Sequence, residues 1–404
     1  MTLPLENIRI IDLSRMLPGP YCSMILGDLG ADVIHIRNPN DSKYDIPVFY
    51  GKGVKKINAF DSIIMRNKKS MILNLKKEKA KEIFYRLTKK TDVVLESFRP
   101  GVTEKLKIDY NTLSKINKKI IYCSLTGYGQ YGPYKNLPGH NLNYVGLCGI
   151  LDLNKKREIF GENNQERIPV TPGVHSAATS GAFIAAIGIL SAIIEREKNP
   201  KKEGQYIDIS MLDSAFSLLP IVAAFNFSNN INNPLHGSAP YYQIYKTKDN
   251  KFFTVASFEF KFWKQLCEGL GRKDLESKQF TQGREKEEVF NELQKEFLKK
   301  TQEEWIEIFK NYDTCVVPVK SFNETCVDPQ IQARNMVVNQ KHQDVGEIKN
   351  INSPIKLSRT PLRIRTLAPK IGEHTEYILK ELGYSEEDIL EFSKKKIIKK
   401  KKVE

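Results

Sequence analysis

The sequence predicts an α/β protein in which a large domain built on a parallel sheet is joined to a smaller α+β domain. Apolar strand-like runs alternate with helical patterns as far as residue 211, and this alternation is typical of parallel strands covered by helices. An asparagine-rich polar stretch near residue 230 then interrupts the pattern. The length of 404 residues also favours two domains, since it exceeds what one average core requires.

The first half of the chain consists of successive strand–helix–strand units. IRIIDLS (8–14) is an apolar run, PGPYCSMILGDLG (18–30) has helical spacing, and ADVIHIRNP (31–39) resumes as a strand. The alternation continues with predicted strands at 70–75, 91–98 and 119–127 and predicted helices at 76–90 and 102–117. Ligands of such folds gather at the carboxyl ends of the strands, so we expect the functional site there.

The second half divides at the stretch FNFSNNINNPLH (225–236), which we interpret as an interdomain linker. A helix at 181–196 and a strand at 204–211 precede it, and a hairpin at 241–258 with its turn near Asp249 and Asn250 follows. Further predicted elements are helices at 259–270, 285–299 and 301–311 and a strand at 315–322. The predicted domain bounds are 1–224 for the large domain, 225–330 for the small domain, 331–393 for a segment returning to the large domain, and 394–404 for a basic, disordered tail.

Charge and composition restrict the partners. The net charge is +15, but the lysines are spread along the chain apart from KKKIIKKKK (394–402), and no nucleic-acid-binding motif accompanies them. We therefore expect no nucleic-acid partner and a polyanionic small substrate. Six cysteines at irregular spacings, without a CxxC pair or clustered histidines, predict reduced thiols and no metal.

The sequence also predicts a cytoplasmic protein without a membrane partner. The N-terminus lacks a basic region followed by an apolar one, which a secretory signal requires. The most apolar run, GAFIAAIGILSAII (181–194), is shorter than the roughly 20 residues that a bilayer requires. We interpret it as a buried helix.

Six phrases, in order, carry a resemblance to a known family. They are LPGPYCSMILGDLGADVIHIRNP (17–39), ESFRPGVTEKL (96–106), SLTGYGQYGPY (124–134), GHNLNYVGLCGIL (139–151), GQYIDISMLD (204–213) and DTCVVPV (313–319). Over residues 5–370 the chain resembles the family III CoA-transferase (CaiB/BaiF) superfamily. GHNLNY, DTCVVPV and APYYQIYKTKDNKFFTVASFEFKFW resemble its α-methylacyl-CoA racemase branch most closely.

The resemblance implies a Rossmann-like large domain, a smaller domain, and a homodimer of two interlocked chains. It implies an acyl-CoA thioester as substrate, with coenzyme A as part of that substrate and no separate cofactor. Basic side chains suit the phosphates of CoA. The residues that match the family's CoA-binding positions are Arg37, Arg66, Arg99 and Lys105, while Gly127 and Tyr128 are expected to shape the thioester cavity.

Racemisation at the carbon beside a thioester needs a base on each face of that carbon and fixed donors for the enolate oxygen. His140 matches the family's first base. Glu259 matches the carboxylate that orients this histidine from the other subunit. Asn141 replaces an acidic residue usual in the family, which should leave His140 less readily protonated.

The second base is where the sequence departs from the family. The family has an Asp at this place, and in its transferases that Asp is the covalent nucleophile. Two ways of aligning the sequence with the family's pattern put the Asp position on Ala177 or on His175. Residues 168–194 contain no carboxylate. A transferase that forms acyl anhydrides needs that carboxylate, whereas His175 could carry a proton for a racemase. For Ser176 we expect a helix-capping role.

Four interpretations therefore stay open. The first is a racemase or epimerase of 2-methyl-branched acyl-CoA, using His140, His175 and Glu259. The second is a CoA transferase, which the missing Asp opposes. The third is an acyl-CoA lyase or dehydratase with His140 as its one base. The fourth is a CoA-binding relative without activity, which fits the missing Asp but not the retained His140 and Glu259.

Overall fold

The computed structural model describes residues 2–39, 46–53, 55–154, 169–228, 235 and 237–399. Contacts divide them into two units. The large unit comprises the described residues up to 154, residues 171–218, and those from 332 onward. The small unit comprises 169–170 and the described part of 219–331.

The strands are β1 (Arg9–Asp12), β2 (Asp32–Arg37), β3 (Phe49–Lys52), β4 (Lys55–Asn58), β5 (Lys68–Ile72), β6 (Val93–Glu96), β7 (Ile121–Thr126), β8 (Tyr206–Ser210), β9 (Tyr242–Lys246), β10 (Phe252–Ala256), β11 (Val316–Pro318), β12 (Val337–His342) and β13 (Gly346–Ile351). The helices are α1 (Pro18–Asp28), α2 (Ala59–Ile64), α3 (Glu78–Thr88), α4 (Val102–Leu106), α5 (Tyr110–Ile116), α6 (Asn141–Leu147), α7 (Ile150–Leu153), α8 (Ser176–Lys198), α9 (Met211–Phe216), α10 (Pro220–Phe227), α11 (Phe260–Leu270), α12 (Gly283–Phe297), α13 (Gln302–Phe309), α14 (Phe322–Cys326), α15 (Pro329–Ala333), α16 (Thr375–Glu381) and α17 (Glu386–Lys394). A 3-10 helix spans Lys273–Lys278.

A six-stranded parallel sheet forms the centre of the large unit, in the order β5-β2-β1-β6-β7-β8. Successive strand residues point to opposite faces. Ile11 and Val94 therefore pack with α3, α5, α16 and α17, whereas Ile10 and Val93 pack with α1 and α8. The predicted α/β class with a parallel sheet is confirmed.

The small unit is built on a three-stranded antiparallel sheet, β11-β10-β9, whose aromatic core packs against α11, α12 and α13. Asn250 occupies the turn between β9 and β10 with a φ of 61°, a left-handed conformation that asparagine tolerates better than most residues. The predicted hairpin is therefore present, with its turn where the sequence placed it.

A buried ion pair joins three parts of the large unit. Arg66 donates to both carboxylate oxygens of Asp28, at 3.1 and 2.7 Å, and to the carbonyl of Ile351 at 2.7 Å. Asn67 donates a further bond to Asp28 at 2.7 Å. Arg66 is 1% exposed. The end of α1, the start of β5 and β13 are thereby held together.

The structure differs from the sequence prediction in five local features. The hairpins β3/β4 and β12/β13 were not predicted, and β11 is shorter than the predicted strand 315–322. The long apolar helix α8 begins at Ser176 rather than at 181. The basic tail, predicted to be disordered from 394, instead buries Ile397 and Ile398 in the core because both side chains are apolar; residues 400–404 lie outside the described part.

Helix α8 is the described helix that is long and apolar enough to cross a membrane by length and composition alone. More than half of that stretch is buried inside the protein. Core helices of water-soluble domains have the same length and composition, so this property alone does not indicate a membrane span.

Replacing Arg66 should destabilise the large unit strongly. The variant Arg66→Met leaves Asp28 buried without its cation, and we expect the free energy of unfolding to fall by about 3–5 kcal/mol. Urea unfolding followed by circular dichroism measures the change. Lys79→Met is the matched control, because it removes one partner of an exposed ion pair with Glu82 and should change stability by less than about 1 kcal/mol. Equal effects of the two variants would contradict the assignment.

Candidate active site

His140 is the N-cap residue of α6, at the end of the loop that leaves the carboxyl end of β7. Its backbone N–H donates to Asn143 Oδ1 at 2.9 Å, and the N–H of Asn143 donates to the His140 carbonyl at 2.9 Å. The side chain of His140 is exposed. The paired bonds fix the backbone of His140 and leave its imidazole accessible to a substrate.

Tyr144 packs beneath the loop that carries His140. Its hydroxyl donates to the Gly139 carbonyl at 2.7 Å, and burial raises the pKa of this phenol to about 12. A Cβ atom at Gly127 would lie 2.4 Å from the Tyr144 hydroxyl, and one at Gly139 would lie 2.8 Å from its ring. Both positions therefore need glycine. Tyr128 packs edge-on against the Tyr144 ring.

Asn141 joins the His140 loop to the start of α8. Its Oδ1 accepts the N–H of Ala177 at 2.9 Å and the N–H of Ala178 at 3.2 Å. These are two of the N–H groups that a helix start leaves without an intrahelical partner. The contact crosses 36 positions of sequence, and it places the backbone of His140 beside the position where the sequence lacks the family's Asp.

The two helix starts differ in what they offer a substrate. The first N–H groups of α8 are engaged, by Asn141 and, for Ser176, by the Val174 carbonyl at 2.9 Å. At the start of α6, the N–H groups of Asn141 and Leu142 make no hydrogen bond within the described part of the chain. Donors for an enolate oxygen are therefore open on the helix that His140 caps.

Ser176 does not have the capping role expected from the sequence. It is the first residue of α8, and Asn141 supplies the cap from another helix. The Ser176 hydroxyl is buried and has no hydrogen-bond partner among the described residues. The sequence offered no signal for this, because the replacement cap comes from a distant position.

The two candidate positions for the missing Asp have opposite environments. Ala177 is fully buried and packs in a small apolar cluster with Tyr144 and Val145. His175 is the exposed N-cap residue of α8, and its carbonyl accepts bonds from the N–H and the hydroxyl of Thr179 at 2.9 and 3.0 Å. Of these two positions, His175 is the one with a titratable side chain.

Glu259 lies in the small unit, as the N-cap residue of α11. Its carbonyl accepts the N–H of Phe262 at 3.0 Å and that of Trp263 at 3.2 Å. Its side chain is exposed, and its carboxylate makes no hydrogen bond or ion pair with any described residue. The carboxylate is therefore available to a partner outside its own unit.

Three of the four basic residues predicted to bind CoA follow the carboxyl ends of β2 and β6, which flank β1. Arg37 ends β2, half-buried, with its Nη1 3.7 Å from Asp61 Oδ2. Arg99 and Lys105 are exposed beyond β6. Arg15, which the sequence reasoning missed, follows β1 with its guanidinium 5.5 Å from the Phe98 ring centre.

The fourth residue, Arg66, requires a correction. Its bonds described above go to the buried Asp28 carboxylate and the Ile351 carbonyl, and its own side chain is buried. Its guanidinium balances Asp28 instead of reaching a surface where a CoA phosphate could bind. The sequence did not reveal this because the partner lies 38 positions away.

Glu96 is a buried carboxyl at the end of β6 that the sequence reasoning did not single out. Burial raises the pKa of Glu96 to about 7, with Glu104 and Asp208 adding to the rise, while bonds from Ser124 and the Phe98 N–H oppose it. Glu96 therefore bonds to the turn that leads to Arg99 as a carboxyl group that gains or loses its proton near neutral pH. Its position two residues before Phe98 fixes where that turn begins.

No described group of three or more His, Cys, Asp or Glu side chains has an arrangement suited to a metal ion. The six cysteines form no disulfide within the described part of the chain, and four of them are buried.

Comparisons with known proteins place this architecture in a family. The model of CoA-transferase family III matches residues 5–375. The chain is 33% identical to human alpha-methylacyl-CoA racemase over 99% of both chains, and 32% identical to the succinyl-CoA–L-malate CoA-transferase beta subunit of Chloroflexus aurantiacus over 98% of both. A solved CaiB/BaiF family protein from Brucella suis has a TM-score of 0.78 at 28% identity, covering 95% of this chain and 100% of that one. Racemases and transferases are thus similar to the chain to nearly the same degree.

Glu96 should make stability depend on pH. Because its folded pKa of about 7 lies above the ordinary 4.5, the folded state keeps a proton that the unfolded state releases between these values. The unfolding free energy should therefore fall as pH rises from 4.5 to 7, by about 3 kcal/mol from this group. Glu96→Gln should lack this decline and be the more stable form at pH 8. Urea unfolding from pH 4.5 to 8 measures both, and parallel profiles would contradict the prediction.

Proposed function

The chain belongs to CoA-transferase family III, and we propose that within it the protein is a racemase of 2-methyl-branched acyl-CoA thioesters. The observation that carries the proposal is the pairing of an accessible His140 with a start of α8 that contains no carboxylate. Proton transfer needs the histidine, whereas acyl-anhydride formation needs the carboxylate.

In the proposed reaction, His140 removes the proton from C2 of the thioester. The C–H electron pair forms the C1–C2 double bond, and the carbonyl π pair moves to the thioester oxygen. The N–H groups of Asn141 and Leu142 donate to that oxygen as its charge develops. Glu259 of the partner subunit stabilises the protonated His140.

His175 completes the reaction from the opposite face. In its protonated form it donates a proton to C2, the enolate collapses to the thioester, and the configuration at C2 is inverted. In the reverse direction the two histidines exchange roles. The support for His175 is its exposure at the helix start to which Asn141 binds.

The proposal includes a homodimer. One side of α8 carries a stripe of apolar residues at Phe183, Ile187, Leu190 and Ile194, and Ile187 is 58% exposed. Exposed apolar stripes of this kind mark protein interfaces, and the occupant proposed is a second copy of the chain. We also propose a cytoplasmic location, with coenzyme A as part of the substrate and no further cofactor, consistent with six cysteines that form no disulfide among the described residues.

Two other reactions have specific support. A one-base lyase or dehydratase acting on acyl-CoA is favoured by Ala177, whose buried methyl group supplies no second base. A CoA transferase is favoured by the similarity to the Chloroflexus enzyme, although the missing carboxylate opposes it. The experiment below separates both from a racemase.

Deuterium exchange at C2 tests the proposed reaction. We expect (2R)- and (2S)-2-methylacyl-CoA, incubated separately in D₂O, to exchange and racemise with the native enzyme. Each histidine removes the proton of one epimer, so His140→Ala should slow exchange of one epimer by at least about 100-fold and His175→Ala that of the other. Both variants should lose racemisation. NMR at C2 and chiral separation measure these rates.

His342→Ala is the control for the exchange experiment, since His342 lies at the end of β12 and should leave both rates unchanged. If the native enzyme exchanges C2 of one epimer only, with retained configuration and at a rate that His175→Ala leaves unchanged, one-base chemistry replaces the proposal. Transfer of CoA to a free carboxylic acid without exchange would replace it with a transferase.

A charge placed on the α8 stripe should separate the proposed dimer. We expect Ile187→Glu to sediment as a monomer at concentrations where the native chain is a dimer, because burying an unpaired carboxylate is costly. Leu390→Glu, at another exposed apolar position on α17, is the matched control and should stay dimeric. Identical masses for all three proteins in sedimentation equilibrium would refute this interface.

A further inference from the structure

Gln279 holds the backbone immediately before Glu259. It follows the 3-10 helix Lys273–Lys278, and its Nε2 donates to the carbonyls of Ser257 at 3.1 Å and of Phe258 at 2.7 Å. Only 2% of Gln279 is exposed. One buried amide therefore fixes two successive peptide groups at the point where the chain leaves β10 and enters α11.

Trp263 makes the reciprocal connection from α11. Its indole N–H donates to the carbonyls of Leu275 at 3.1 Å and Glu276 at 3.0 Å. Trp263 is completely buried. Residues 275–279 are thus bound to the chain on both sides of Glu259, by the Gln279 amide before it and by the Trp263 indole after it.

Aromatic packing covers the same junction. The ring of Tyr241 contacts Phe258 and Phe280, with centroid separations of 5.9 and 5.3 Å in edge-to-face geometry. Phe258 directly precedes Glu259, and Phe280 directly follows Gln279. The two hydrogen-bonded segments are therefore also held by a shared apolar contact.

The junction is held by several contacts, but not all of its buried polar groups have a hydrogen-bond partner. The Gln279 Oε1 and the Ser257 hydroxyl are buried and have no hydrogen-bond partner among the described residues. Burying polar groups without hydrogen-bond partners is unfavourable. Hydrogen bonding within the junction therefore does not by itself explain a buried glutamine at this position. What the junction supports is Glu259, whose carboxylate is exposed and unpaired within the described chain.

We propose that Gln279 is a positioning residue that holds the Glu259 carboxylate in the orientation required at the catalytic histidine. The inference rests on the proposed function, because Glu259 acts there on His140. A carboxylate that must stabilise a protonated imidazole in another subunit gains from a fixed backbone, since less ordering remains when the reaction proceeds. Gln279 does not itself touch the substrate.

The test compares two single substitutions in the full-length protein. Gln279→Met keeps the length and volume of the side chain but removes both N–H donors. Ser257→Ala is the matched control, since it removes a buried hydroxyl that holds nothing in place. The measurements are C2 deuterium exchange with 2-methylacyl-CoA, its pH profile, and amide hydrogen exchange of the peptide spanning 257–266.

We expect Gln279→Met to lower kcat by about 10–100-fold with KM within about twofold. A Glu259 carboxylate that is no longer held in place stabilises the protonated imidazole less, so the acid limb of the kcat profile should move to lower pH. The amides of Phe262 and Trp263, which bond to the Glu259 carbonyl, should exchange about tenfold faster. Ser257→Ala should change none of these.

Unchanged kcat in Gln279→Met, or an equal loss in Ser257→Ala, would overturn the positioning role. If the native protein shows no C2 exchange, the proposed function is refuted. The claim that Gln279 holds the backbone at Glu259 is not refuted by that result. Amide hydrogen exchange then tests by itself whether Gln279 holds the backbone at Glu259. Faster exchange in Gln279→Met supports this role, and unchanged exchange refutes it.

Discussion

The candidate site depends on the two hydrogen bonds that the first N–H groups of α8 donate to Asn141. They bind the long apolar helix to the loop that carries His140, and they have a second effect. By occupying the start of α8, they leave the start of α6 as the place where a developing negative charge finds open N–H donors. In the proposed reaction, one amide side chain thus fixes both the position of the base and the position of the oxyanion.

The parallel sheet supplies the frame for this contact. The loop after β7 packs over Tyr144 before it enters α6, and this packing requires glycine at two positions. Helix α8 covers one face of the sheet. Basic residues follow the neighbouring strand ends, so a CoA ester lying there would bring its thioester toward the same edge. Arg66 has a different role within this frame, because its charge neutralises Asp28 in the interior.

Local patterns in the sequence predicted much of this fold, and long-range contacts account for what they did not predict. Alternation of apolar runs located the parallel strands, and Asp249 and Asn250 located the hairpin turn. The hairpin β12/β13 was missed because its strands are rich in lysine and asparagine and lack a regular apolar period. The role of Arg66 depends on Asp28, and the cap on α8 comes from Asn141; neither pairing leaves a local signal.

In the proposed reaction, the lack of a carboxylate in residues 168–194, at the start of α8, is what separates proton transfer from acyl transfer. The most direct test is a crystal structure of the protein with a non-hydrolysable enolate analogue of a 2-methylacyl-CoA. The account predicts the enolate oxygen within hydrogen-bonding distance of the N–H groups of Asn141 and Leu142, with His140 and His175 on opposite faces of C2. An enolate oxygen bound elsewhere, or both histidines remote from C2, would contradict it.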